Sequence, residues 1–273
     1  MTMIKNNSYV ILSTMSKNRR INRNTYPISM ILQRIINILG TFIFPLLMYI
    51  FVFNSNLSED FLIDTKTTDY LTYLTLGQAF MIIIIATLMN VGRSMITEYR
   101  QNTIVNLLYS PASILSYLIG VFLEQFIRTI VESFVILGIG IVLGANVSLT
   151  HFFVLIFFFC CSSFASFSIA IITCGIMLKT RDTFITQNTI ILIISIVCGI
   201  TIPTSFLPDF VQCISSLLPL THLLIAFRNC VILNQFLYEN FNSILLSVVL
   251  SGIYTVVGFF FLKRVVRSVL EIV

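Results

Sequence analysis

Tryptophan is absent from this 273-residue chain, and charged side chains make up only 10% of it. Soluble domains carry about 25% charged residues. With 57% hydrophobic residues arranged in long runs, too much apolar surface is left for a water-facing fold. The mean hydropathy of +0.99 agrees, and the chain reads as an integral membrane protein. His151 and His222 have no helical partner at a metal-binding spacing. No Ser, His and Asp set suggests an enzyme, and no Gly-rich loop ends in Lys with Ser or Thr, so the chain has no P-loop. Missing tryptophan also argues against a carbohydrate-stacking path and for an amphiphilic drug, peptide or lipid. The net charge of +5 is not a nucleic-acid signal, because the basic residues cluster at span ends.

Six apolar stretches are long enough to cross about 30 Å of hydrocarbon. They run from about Ile35 to Phe53, Tyr70 to Val91, Ile114 to Leu143, Phe152 to Leu178, Phe184 to Ile202, and Ile244 to Leu262. Pro45 lies inside the first, and an acidic loop with Glu59, Asp60, Asp64 and Asp69 follows it. Six spans put both termini on one side. Of the 16 Lys and Arg residues, all but Lys66, Arg128 and Arg228 then fall on that side, which makes it cytoplasmic. The first residues lack the order of a secretory signal, since Lys17, Arg19, Arg20 and Arg23 follow the apolar run Tyr9 to Leu12. They read as an amphipathic helix on the membrane surface, with Val10, Ile11 and Met15 in the interface.

Between the fifth and sixth spans the pattern changes. Pro203, Pro208 and Pro219 each remove a backbone donor and break the helix. The pieces Phe210 to Leu218 and Leu220 to Arg228 are apolar but too short to span. Broken backbone of this kind needs protein or a watery cavity beside it, so the stretch Cys198 to Asn229 is expected to be a re-entrant helical hairpin entering from outside. Cys213 in this hairpin and Cys230 at its end are a candidate pair whose geometry the sequence does not supply, whereas Cys160, Cys161, Cys174 and Cys198 read as small hydrophobes. In the third span, Glu124, Arg128 and Glu132 recur every four residues and share one helical face. Such a stripe should face protein or water, as a subunit interface, a translocation path or a self-neutralised structural strip.

After the second span, TEYRQNTIVNLLYSPAS reads as a helix beginning near Thr97 and ending before Pro111, with Ile104, Leu107 and Leu108 at helical spacing. On the cytoplasmic side, this is an amphipathic helix suited to a groove on another protein. Its residues Glu98, Arg100, Thr103, Leu107, Leu108, Ser110 and Pro111 resemble the pattern E-x-R-x-x-T-x-x-x-L-L-x-S-P of type-2 ABC exporter permeases. Gly199, Pro203, Leu207, Pro208, Leu218, Pro219, His222 and Arg228 are similar to that family's second motif, and Pro45, Asp69, Tyr70, Leu71 and Gly77 also agree. Asn102 departs from the pattern, which often has Gly there.

The resemblance implies a single permease domain, residues 1–273, of all-helical membrane fold with six spans. Glu98 to Leu108 would be the coupling helix to a separate pair of ATP-binding subunits, which carry the ATP and Mg. The chain itself would bind no cofactor and hydrolyse nothing. The hairpin with Gly199, Pro203, Pro208, Pro219, His222 and Arg228 would close the outer mouth. A second permease copy, a bacterial plasma-membrane location and a drug-resistance type of export also follow from the resemblance. A secondary carrier or channel is the alternative, although no internal repeat is evident between the two halves.

Overall fold

The computed structural model describes residues 2–25, 70–109, 113–147 and 152–270, with isolated positions between 36 and 51. The expected first span with Pro45, the acidic loop after it, Pro111 and His151 lie outside the described residues. The regular elements among the described residues are all helices, joined by turns. In chain order the helices are α1 (Thr2–Thr25), α2 (Tyr70–Arg100), α3 (Ile104–Tyr109), α4 (Ile114–Val142), α5 (Phe152–Thr180), α6 (Phe184–Val197), α7 (Asp209–Leu217), α8 (Pro219–Ile232) and α9 (Phe241–Leu270). Among the described residues, α2, α4, α5 and α9 are long and apolar enough to cross a membrane. Counting the bent pair α7–α8 as one span raises that number to five.

Helix α2 is the centre of the bundle. It packs against α4, α5, α6 and α8, while α9 lies outside α5 and is mostly exposed. Inside a bilayer, backbone groups and hydroxyls find partners within the protein. On α5, Ser162, Ser163, Ser166, Ser168 and Thr173 are all buried, and each returns its hydroxyl to a carbonyl of its own helix. The phenylalanine run that opens α5 divides by face. Phe158 and Phe159 are fully buried against Phe227 of α8, with ring centroids 5.5 and 5.8 Å away, whereas Phe153 is exposed. Phe227 also stacks on Phe80 of α2 at 5.8 Å. These rings fasten α8 to the interior of the bundle.

One helix ends earlier than the hydropathy suggested. The fifth stretch was expected to run to Ile202, but α6 stops at Val197 because Gly199 takes φ +72° and turns the chain away. Fourteen residues rise only about 21 Å, short of a full crossing. The proline-bounded pair behaves as the sequence predicts. Pro208 precedes α7, Pro219 opens α8, and their axes meet at 92°. Cys213 and Cys230 are free, the first exposed and the second buried beside Asn240 Nδ2 at 3.7 Å.

Candidate functional site

The residues singled out from the sequence collect mainly at the two ends of α2. At its C-terminal end, the helix expected from Thr97 does not start there. Instead α2 runs through to Arg100, and Asn102 takes φ 57°. Thr103 N donates to Glu98 O at 2.9 Å and Asn102 N donates to Tyr99 O at 3.1 Å. This pair of bonds around a left-handed residue is the Schellman termination, which supplies partners for the last carbonyls of a helix. The six-residue helix α3 follows at once. Its Ile104 is buried in the core and Leu107 packs against that core, while the Leu108 side chain lies outside the described residues. Thr97, Arg100, Gln101 and Asn102 form the exposed ridge of this elbow.

Glu98 is 6% exposed and turned inward. A carboxylate in the last turn of a helix opposes the helix dipole, so it needs donors from elsewhere. Two other helices and the turn that follows α2 provide them. Lys17 Nζ of α1 donates at 2.7 Å, Tyr117 OH of α4 donates to the same Oε1 at 3.0 Å, and the Thr103 hydroxyl donates to Oε2. Glu98 lies about two turns beyond Val91, where the span expected from the sequence ends. Burial alone raises its pKa, but the bonds from Lys17, Thr103 and Tyr117, with the charge of Lys17, hold it below the ordinary value.

Helix α1 reaches this knot because it lies along α4. A Cβ on Gly120 would come within 2.8 Å of Ile11 O and of Thr14 Cβ, so only glycine allows that approach. Val10, Ile11 and Met15, expected in the headgroup layer, are half-buried within the protein. On the other flank of the elbow, Arg100 donates to Arg181 O at 3.2 Å and to Thr183 Oγ1 at 3.4 Å, and Arg181 sits 5.5 Å from the Tyr99 ring centroid.

At the opposite end of α2 the central group is a cation. Arg228 of α8 lies 3.5 Å from the Tyr73 ring centroid. Its Nη1 donates to Tyr73 OH and to Gly199 O, both at 2.7 Å, and its Nη2 donates to Ile200 O at 2.7 Å. Gly77 makes room for this. A Cβ there would run into Ile200 O and stand 2.7 Å from Arg228 Nη2. Arg228 therefore ties α8 and the 198–200 turn to α2. His222 Nε2 meets Ser216 O at 2.7 Å across the α7–α8 bend, and Pro203 precedes a short 3-10 turn, Thr204–Phe206.

The third group is the charged stripe on α4. Arg128 pairs with Glu124, whose carboxylate is buried, and Glu132 is half-buried one turn on. Among the described residues, no cluster of three His, Cys, Asp or Glu suits a metal ion. Sequence reasoning missed Lys17, Tyr73 and Tyr117, each of which meets its partner across a long sequence separation. The signal available was the carboxylate at the wrong end of a helix, which calls for a basic partner. The family model described as ABC-2 type transporter matches residues 12–232, an interval that contains the elbow, the α4 stripe and the hairpin. Comparison with curated proteins gives no match.

Proposed function

Because the chain belongs to the ABC-2 type transporter family, we propose that it is the permease subunit of an ATP-driven exporter. It moves an amphiphilic drug, peptide, lipid or glycan out of a bacterial cell across the plasma membrane by alternating access. Both termini lie in the cytoplasm, two copies of the chain pair, and each docks on a separate ATPase subunit that binds ATP and Mg. A multidrug-resistance role fits this reading. The observation that carries it is the elbow after α2. An exposed polar ridge, Arg100 to Asn102, stands beside Glu98, which is bonded to α1 through Lys17, to α4 through Tyr117 and to the turn itself through Thr103. A push on such a ridge is passed to the bundle and not absorbed by a loose loop. The α7–α8 hairpin at the other end of α2 is the outer gate in this reading.

The test is copurification. The tagged chain, isolated from its native membrane, should carry a P-loop ATPase with it. A cysteine introduced at Gln101 should cross-link to that ATPase, and one at Asp209 should react with an impermeant thiol reagent only from outside. Isolation without any ATPase would sink the reading, and labelling of Asp209→Cys from the cytoplasm alone would reverse the topology.

A further inference from the structure

The end of α2 that holds Arg228 also has a cleft of about 210 Å³ beside it. Arg228 lines it with Tyr73, Thr204, Ser205 and Asn229, and Ile225, Ile232 and Leu233 form an apolar flank. The guanidinium keeps its charge at any physiological pH. Its hydrogen bonds go to three carbonyls and one hydroxyl, and its Nε is buried with no partner. No carboxylate pairs with it among the described residues, in contrast to Lys17 and Arg128. Among the described residues this positive charge is met by dipoles and a ring face and by no carboxylate, an arrangement that favours an incoming anion.

We propose that this cleft is a binding site for an oxyanion, a phosphate or carboxylate group held by Arg228 with help from the Thr204 and Ser205 hydroxyls. Hydroxyl and amide groups suit the oxygens of such an anion, and guanidinium–oxyanion bonds are among the strongest in proteins. The apolar flank suits the first carbons of an amphiphile, so an anionic lipid headgroup and free phosphate share the required chemistry. The transport reading places Gly199, Pro203 and Arg228 of this cleft in the outer gate but assigns the cleft no ligand, so the anion site is tested apart from transport.

The experiment is thermal unfolding of the purified chain in nanodiscs, with no ATPase involved. The probes are inorganic phosphate against chloride at matched ionic strength, and phosphatidylglycerol against phosphatidylcholine. Occupancy is expected to raise the unfolding midpoint by about 3 °C. A rise with phosphatidylglycerol alone identifies a lipid headgroup, and a rise with phosphate identifies a free anion. Thr204→Val, which leaves the bonds of Arg228 in place, should weaken the effect roughly tenfold in concentration. Ser205→Asp places a carboxylate in the cleft and should abolish the effect. The inference is overturned if neither probe acts on the parent chain, or if Ser205→Asp responds as the parent does. It is also overturned if the response appears only in Asp69→Asn, because an acidic residue of the chain would then already fill the role.

Discussion

At one end of α2 a buried carboxylate is met by a lysine, a tyrosine and a threonine. At the other, a guanidinium is met by backbone carbonyls and an aromatic face. The first arrangement joins three helices and the turn after α2 through side chains, and its lysine is 48% exposed, so water can replace it in part. The second uses backbone oxygens that no rotamer change can move aside. The elbow therefore passes a push on to α1 and α4 through contacts that can break and re-form singly, whereas the hairpin is pinned until α8 moves as a body. On the exporter reading proposed above, the first suits an input that transmits a push and the second a gate that opens as a unit.

The sharpest way to break the comparison is at the pinned end. Gly77→Val drives a side chain into the Ile200 carbonyl and the Arg228 guanidinium, combining overpacking with a disturbed buried charge. The expected loss is about 3 kcal/mol, read from unfolding in nanodiscs. Melting unchanged from the parent would mean that the latch does not hold the hairpin.

A case between the two extremes is Arg128 on α4, which faces a buried carboxylate but is itself partly exposed. Arg128→Met leaves Glu124 without that partner, and a cost of about 2 kcal/mol with impaired transport is expected. Replacing Glu124 and Glu132 by Gln in the same chain should restore part of both. Normal stability and transport in Arg128→Met would make the stripe a tolerated feature and nothing more.

At the yielding end the effects should be smaller and reversible in sign. Lys17→Met is expected to cost about 1 kcal/mol, because the pair is half open to solvent. Lys17→Glu with Glu98→Lys should recover part of what either single reversal loses, measured as a coupling in a double-mutant cycle. At the pinned end no such charge swap exists, since the partners of Arg228 are carbonyls, a tyrosine hydroxyl and its ring, and Arg228→Lys should not be rescued by any charge reversal. If the Lys17 and Glu98 substitutions proved strictly additive, the knot would not act as an ion pair.

Much of the fold was legible because the decisive signals are local. Pro208 and Pro219 mark the hairpin pieces within a residue or so, and the long apolar runs locate α4, α5 and α9. The elbow was harder to read. Thr97 and Glu98 look like the opening of a new helix, yet the apolar face of α2 continues through Met95 and Ile96, both buried, and carries the helix on to Arg100. The knot and the latch were illegible for a different reason. Lys17 and Glu98 are 81 residues apart, and Tyr73 and Arg228 are 155 apart, so only packing brings them together. No spacing rule along one element reports such a pair.

The smallest expected effect tests the backbone beneath the elbow. Asn102 is at φ 57°, and among side-chain-bearing residues asparagine is one of the few that enter this region readily. Glycine enters it with no steric cost but loses more conformational freedom on folding. The two effects oppose each other, so Asn102→Gly should change stability by no more than about 0.5 kcal/mol and leave the turn intact. Asn102→Val forces a β-branched residue into the same conformation, at a cost of about 1–2 kcal/mol. That strain falls on the Thr103 N to Glu98 O bond, and through Glu98 on Lys17 and Tyr117. The expected signature is faster amide exchange at Thr103 and along α1 in Asn102→Val, with exchange in α4 beyond Gly120 unchanged and Asn102→Gly like the parent. Equal exchange in all three chains would show that the left-handed turn does not set the position of the elbow.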